Sequence, residues 1–149
     1  MAEVSPATFF RYFPTKEDVV LTDDYDPLIA AMVVGRPARE KPLTAVRRGL
    51  ADALAAVPEA EMDAVRQRTA LVLSVPALRA RTHEQQRDAR EALAEALAPR
   101  MGSDPTGVEV QAVAAACSAV LAAAVEHWAV AGGSLAAHVD AALAALARA

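Results

Sequence analysis

The stretch that decides the fold is VSPATFFRYFPTKED, residues 4–18. Ser5 is a favourable N-cap residue, and Pro6 suits the first helical position because its φ is already set. Pro14 biases the residue before it toward an extended conformation, so this helix is predicted to end after about two turns. Thr15 is then placed to cap the next helix. The sequence therefore predicts a very short, aromatic-rich helix that leads directly into a longer one.

The ordered pattern V-S-x-x-T-F-F-R-Y-F-P-T-K-E-D resembles the recognition helix of TetR-type helix-turn-helix regulators and the start of the helix after it. Residues 73–81 and 126–135 resemble helix junctions in the bodies of actinobacterial-type members, so the resemblance covers essentially the whole chain. It implies an α-helical, homodimeric, ligand-responsive repressor. In such proteins a small-molecule effector enters the body and changes the separation of the two DNA-reading heads.

The resemblance also assigns DNA contacts. Those at base edges or sugars are Pro6, Ala7, Thr8 and Phe10, and those at phosphates are Ser5, Arg11, Tyr12 and Lys16. The residue types suit these roles, because threonine offers a hydroxyl and a methyl group to base edges while arginine and lysine bind phosphate oxygens. The aromatic side chains of Phe9 and Phe13 are interpreted as core.

The segment before the recognition helix is short. A helix-turn-helix needs a first helix that braces the recognition helix across the DNA backbone, but only Met1, Ala2 and Glu3 precede the turn. Members of the resembling family usually have glycine at the position of Glu3, which suits the left-handed end of the preceding helix. The chain as given is therefore expected to be impaired in DNA binding, and operator DNA is expected as a partner only if the N-terminal helices are present.

Composition and charge agree with a helical regulator that lacks part of its DNA-binding surface. Of the 149 residues 54% are hydrophobic, mostly alanine, and 4% are aromatic, which favours an all-α fold. Residues 1–34 carry two basic and six acidic side chains, a net charge of −4, and DNA affinity depends largely on cationic contacts. Residues 35–100 have twelve basic against nine acidic side chains, giving +3.

The proline-rich connector at residues 35–42 predicts two domains. Residues 1–34 are interpreted as a partial DNA-binding head, with a recognition helix at about 5–12 and a connecting helix at about 15–34. Residues 42–149 are interpreted as a helical ligand-binding and dimerisation domain. The predicted fold is thus a TetR-like helical bundle with a partial helix-turn-helix at its N-terminus.

Cysteine usage and hydropathy indicate a soluble, cytoplasmic protein. Cys117 is the single cysteine, so no intrachain disulfide can form, and a reducing compartment is the natural interpretation. No signal-peptide pattern is present at the start. The longest near-continuous apolar run, residues 112–125, is interpreted as too short to span a bilayer.

A ligand pocket is expected between the helices of the body. The candidate pocket residues are Met62, Arg66, Thr69, Cys117 and Leu121. Methionine suits adaptable apolar surfaces, and an inward arginine would attract an anionic ligand. The alternative is that the apolar members are plain core and that Arg66 is a solvated surface charge.

The last two amphipathic stretches suggest a dimer interface that pairs two helices from each chain. The candidate interface residues are Val120, Trp128, Leu135, Val139, Leu143 and Leu146. The alternative is that these apolar stripes fold onto the core of their own chain, since a stripe requires a partner but does not name it.

No catalytic, metal or cofactor site is expected. The three histidines, His83, His127 and His138, have no metal-binding spacing, and Cys117 has no base that the sequence reveals. The glycine pair at 132–133 is interpreted as a turn between helices rather than a phosphate loop. The second function hypothesis is therefore not an enzyme but a dimeric small-molecule-binding or protein-interaction module without DNA binding.

Overall fold

The computed structural model describes residues 25–149, with side chains from residue 29 onward. Within that part of the chain the backbone forms α1 (Tyr25–Val34), α2 (Pro42–Ala55), α3 (Glu59–Ser74), α4 (Pro76–Met101), α5 (Val108–Ala131) and α6 (Leu135–Arg148). These helices, with no strand among the described residues, confirm the predicted all-α class. The recognition helix and every candidate DNA contact lie outside the described residues.

Local sequence signals set most of the helix ends. Pro42 and Pro76 occupy the first turns of α2 and α4, where a missing N–H costs nothing. Gly102, in the left-handed conformation with φ 60°, ends α4. Ser134 caps α6, since its side-chain oxygen accepts a hydrogen bond from the amide of Ala137 at 3.3 Å.

One sequence pattern typical of a helix start does not lie at the start of a helix. The pair Asp104-Pro105 has the form of an N-cap followed by a first-turn proline, yet α5 begins at Val108. The carboxylate of Asp104 instead accepts hydrogen bonds from the amide and hydroxyl of Thr106, at 2.8 and 2.6 Å. These bonds close a turn and hold the pKa of Asp104 below its ordinary value. Asp104 thus begins a turn that leads to Gly107, whose amide donates to the carbonyl of Asp104 at 2.9 Å, rather than capping α5.

The packing places α5 at the centre of the body. It contacts α3, α4 and α6, while α2 packs on α1 and α6, and α1 also packs on α4. The core is almost entirely aliphatic and includes the fully buried side chains Val33, Val46, Leu50, Leu97, Val110, Cys117 and Leu143. No buried polar residue accompanies them in the part of the chain that is described. The helices are therefore held together mainly by hydrophobic burial.

Helices α1 and α2 approach each other closely at Gly49. A Cβ atom at this position would lie 3.1 Å from the amide nitrogen of Val33 and 3.2 Å from the carbonyl carbon of Met32. The neighbouring atoms belong to the α1 backbone, which cannot move as a flexible side chain can. Glycine in the middle of α2 therefore fixes how α1 lies on the body.

Candidate ligand-binding cavity

A cavity of about 310 Å³ lies in the body, and all six described helices contribute to its wall. Its volume falls at the lower end of the range for small-molecule sites. The apolar side chains that line it include Ile29, Leu50, Leu54, Val57, Met62, Val65, Val72, Leu93, Leu121, Val125, Leu135 and Val139. The wall is thus mostly aliphatic, as expected for a site that binds by excluding water.

The polar residues of the wall are confined to three helices. α1, α2 and α6 supply apolar residues only. The polar lining residues are Arg68 and Thr69 of α3, Thr82, Gln85 and Gln86 of α4, and Ser118 and Glu126 of α5. One part of the cavity is therefore hydrocarbon and another carries hydrogen-bonding groups, with one arginine and one glutamate among them.

The two threonine hydroxyls in the wall already donate to their own helices. The hydroxyl of Thr69 donates to the carbonyl of Val65 at 2.8 Å, and that of Thr82 donates to the carbonyl of Arg79 at 2.7 Å. Their oxygens are left as acceptors. The polar wall residues other than these two threonines include Ser118, whose hydroxyl can donate as well as accept.

The structure places three of the five candidate pocket residues in the cavity wall. Met62, Thr69 and Leu121 line the cavity, while Arg66 and Cys117 do not. The guanidinium of Arg66 lies beside the turn after α5, since Nη2 would be 3.2 Å from a Cβ at Gly132. Cys117 is completely buried in the core, and burial raises the pKa of its thiol to about 11. Cys117 is therefore protonated and unreactive at neutral pH.

Sequence analysis missed the polar residues of the wall on α4. Thr82, Gln85, Gln86, Ala89 and Leu93 recur at spacings of three and four residues, so they share one face of the helix. That face changes from polar to apolar along its length. The signal was present as a stripe that is polar at one end, but a search for apolar stripes does not detect it.

The candidate interface residues are mostly buried within the chain itself. Trp128, Leu135, Val139 and Leu143 are at most 9% exposed, so a second chain cannot cover them further. Trp128 also donates its indole N–H to the carbonyl of Gly133 at 3.0 Å, which ties it to the turn between α5 and α6. The burial of these four residues therefore agrees with the alternative, in which the apolar stripes pack onto the core of their own chain. Val120 and Leu146 are half-buried and remain partly accessible.

The connector between α1 and α2 is bound tightly to the body. Arg36 forms ion pairs with Glu40 at 2.7 Å and Asp52 at 3.1 Å, and Arg48 pairs with Glu40 at 2.6 Å. The side chain of Glu40 is only 7% exposed. Its hydrogen bond from Arg36 lowers its pKa to about 2. Residues 35–41 are therefore an ordered joint between the two helices.

Arg100, near the end of α4, closes the same joint from the other side. Its Nη2 donates to the carbonyls of Val33 and Arg36 at 2.7 and 2.5 Å, and its Nη1 donates to that of Pro37 at 2.6 Å. The carbonyls at a helix end have no partner within the helix, so a guanidinium is a suitable cap. Arg100 therefore joins α1, which supplies Ile29 to the cavity, to α4, which supplies the polar stripe.

Helix α5 is longer than the apolar run from which it was predicted. It has 24 residues, and an 18-residue window has a mean hydropathy of 1.9, so by length and composition it could cross a membrane. The expectation that this stretch is too short was wrong on length, because the helix extends beyond the run at both ends. In the described part of the chain α5 packs against α3, α4 and α6, and 22% of that window is buried.

The all-α body follows a sequence pattern that resembles the recognition helix of a helix-turn-helix, and this combination is that of a helical transcriptional regulator. Residues 40–149 match a TetR C-terminal family model described as the MftR C-terminal domain. The chain therefore belongs to the TetR family of transcriptional regulators.

A curated relative agrees with this assignment. The chain is 40% identical over 65 residues to the HTH-type transcriptional regulator TcmR of Streptomyces glaucescens, an alignment that covers 42% of this chain and 29% of that protein. The chain thus aligns with less than a third of this relative.

Proposed function

We propose that this protein is a homodimeric, cytoplasmic TetR-family repressor whose affinity for operator DNA changes when a small molecule occupies the cavity. The observation that carries the proposal is that α1 supplies Ile29 and Ala30 to the cavity wall and is separated by six residues from the predicted DNA-reading segment at residues 4–18. A ligand shifts the position of α1 only if it binds more tightly when α1 is in one position than in another. Because Ile29 and Ala30 are part of the cavity wall, their contacts with a ligand would change when α1 moves.

The proposal keeps the division into a DNA-binding head, residues 1–34, and a body, residues 42–149. Arg11 and Lys16 are assigned to phosphates, and Thr8 and Phe10 to base edges or sugars. Binding by the chain is weak, because residues 1–34 have a net charge of −4. The relative in Streptomyces glaucescens is an HTH-type transcriptional regulator, which supports this class of activity.

The faces of α5 and α6 that point away from the core support the proposed dimer. Exposed alanines recur on one face of each helix, at Ala112, Ala119 and Ala123 on α5 and at Ala137, Ala141 and Ala145 on α6. Small side chains allow helices to approach closely, and two such helices from each chain can form a four-helix bundle. Val130, at the end of α5, is 82% exposed and lies at helical spacing from these alanines, so it can extend the same face.

DNA binding is tested by fluorescence anisotropy with duplex DNA over a series of salt concentrations. Arg11→Ala should weaken binding to all sequences and reduce the slope of log K against log salt by about one. Arg148→Ala, at the end of α6, is the matched control and should leave the slope unchanged. An equal slope for wild type and Arg11→Ala would contradict the assignment of Arg11 to phosphate.

The acidic charge of residues 1–34 favours a second candidate function, a dimeric small-molecule-binding or protein-interaction module without DNA binding. The same titration separates the two. Salt-dependent binding that requires Arg11 supports the repressor. Absence of binding at low ionic strength, where electrostatic attraction is least screened, supports the module.

A further inference from the structure

The turn between α5 and α6 brings two histidines together. His127 near the end of α5 and His138 in the first turns of α6 have ring centroids 5.1 Å apart, with 73° between the ring planes. His127 is exposed and His138 is half-buried. The two residues are eleven positions apart in the sequence, so only the folded turn makes them neighbours. Neither lines the cavity, and the pair is therefore a feature separate from the candidate ligand site.

Hydrogen bonds order the turn that carries the two rings. Next to His127, the indole N–H of Trp128 donates to the carbonyl of Gly133 at 3.0 Å, and the amide of Gly132 donates to the carbonyl of Trp128 at 2.8 Å. Both glycines have positive φ, 74° and 80°, which lets the chain reverse here. An ordered backbone reduces the conformational entropy that the two side chains lose when they bind one ligand.

The ring of His138 has the hydrogen bond that is typical of a metal ligand. Its Nε2 lies 2.8 Å from the carbonyl oxygen of Gly132. A carbonyl oxygen only accepts, so Nε2 carries the proton, and in the neutral ring Nδ1 keeps its lone pair. Histidines that bind metals almost always donate their other ring N–H to a carbonyl or carboxylate, which fixes the tautomer. Gly132 already provides this partner for His138.

The separation of the two rings fits a shared ion. Zinc binds imidazole nitrogen at about 2.0–2.1 Å, so two rings on one tetrahedral ion have their centres about 5 Å apart. The observed separation of 5.1 Å matches that value. His127 is exposed, so its ring can rotate to present a nitrogen.

Two observations indicate that such an ion would be held weakly. No third histidine, cysteine or carboxylate completes a metal-binding group in the described part of the chain, so water fills the remaining positions. The guanidinium of Arg66 lies beside Gly132, and its positive charge repels a cation. An ion at this turn would therefore exchange readily with solution.

We infer that His127 and His138 together bind a divalent transition-metal ion such as Zn²⁺, each through one imidazole nitrogen, with Nδ1 as the ligand atom of His138. Imidazole suits zinc, copper and nickel, whereas magnesium and calcium prefer oxygen ligands. The inference goes beyond the proposed function, because it concerns neither the cavity nor the DNA-reading segment. Its outcome is therefore independent of the outcome of the DNA-binding test.

The test is isothermal titration calorimetry of zinc chloride into the full, untagged chain at neutral pH in a buffer free of chelators. Zinc should bind at one ion per chain, and magnesium chloride should give no binding. His127→Ala should weaken zinc binding at least about tenfold, because the second imidazole acts at a high effective concentration. His138→Gln should weaken it as much, although glutamine keeps an N–H donor for the carbonyl of Gly132. His83→Ala, an exposed position on α4, is the matched control and should leave the affinity unchanged.

Nuclear magnetic resonance of the histidine side chains adds a measurement on the unaltered protein. Zinc should shift the ring signals of His127 and His138 and leave those of His83 in place. Circular dichroism shows that each variant is folded. Zinc affinities of both variants within about twofold of wild type would overturn the inference. A loss in His127→Ala without a loss in His138→Gln would also overturn it, since a single surface imidazole would then account for the binding.

Discussion

Replacing Arg100 by methionine tests how α1 is attached to the body. Methionine keeps the unbranched stem but ends two atoms short of the arginine Nη atoms and has no N–H group, so all three hydrogen bonds to the carbonyls of Val33, Arg36 and Pro37 are lost. The carbonyl of Pro37 is bonded at an exposed site and can be hydrated by water instead. The other two bonds are partly buried. Hydrogen bonds that involve a charged group contribute about 1.5–3 kcal/mol each, so the two should together account for roughly 3 kcal/mol.

The assay is chemical denaturation followed by far-UV circular dichroism, which gives the free energy of unfolding. Arg87→Met is the matched control, because Arg87 has one exposed ion pair, at 3.2 Å to Glu91, and such pairs contribute about 0.2–1 kcal/mol. The free energy of unfolding of Arg100→Lys should lie between those of wild type and Arg100→Met, since a single ammonium group cannot donate to all the carbonyls that the two Nη atoms of Arg100 reach. A loss in Arg100→Met no larger than that in Arg87→Met would refute the argument that Arg100 holds the joint.

Four further predictions follow from particular residues. The pKa of Glu40 is lowered from 4.5 to about 2, so its stabilising effect is present above pH 4.5 and lost as the pH falls toward 2; Glu40→Gln should flatten this part of the stability-versus-pH curve measured by denaturant titration. Gly49→Val should destabilise the fold by about 1–3 kcal/mol in thermal or chemical unfolding, because its side chain would enter the α1 backbone. Cys117 should react with a thiol reagent only after unfolding, and rapid labelling of the native protein would contradict its burial. In analytical ultracentrifugation, Ala123→Glu should dissociate the proposed dimer, whereas Ala80→Glu, an exposed position on α4, should not.

Several helix ends have local causes in the sequence. Pro42 and Pro76 mark helix starts because proline lacks the N–H that the first turn does not use, and Ser134 marks another because its side chain caps the amide of Ala137. The Asp104-Pro105 pattern does not determine a helix start, because an aspartate side chain can either cap a helix or close a turn. Only the position of Thr106 relative to it in the folded chain decides between the two.

Contacts between residues distant in sequence could not be predicted in the same way. The amphipathic stripes that contain Trp128 on α5 and Leu143 on α6 each require an apolar partner, but the core of the same chain and a second chain satisfy that requirement equally. Arg100 and Val33 are 67 residues apart, so nothing local indicates that one caps the other. For the cavity, helical periodicity was sufficient to select Met62, Thr69 and Leu121 as wall residues. It did not show that Arg68 rather than Arg66 lines the cavity, because both residues lie near the boundary of the buried face.

The central claim is that occupancy of the cavity and the position of α1 are coupled. Hydrogen exchange of backbone amides, read by mass spectrometry with and without n-decanol, tests it without depending on DNA. The account predicts slower exchange in α1 and in residues 35–41 as well as in the cavity walls on α3–α5, with the effect on α1 reduced in Arg100→Met. Slower exchange confined to α3–α5, with α1 unchanged, would contradict it.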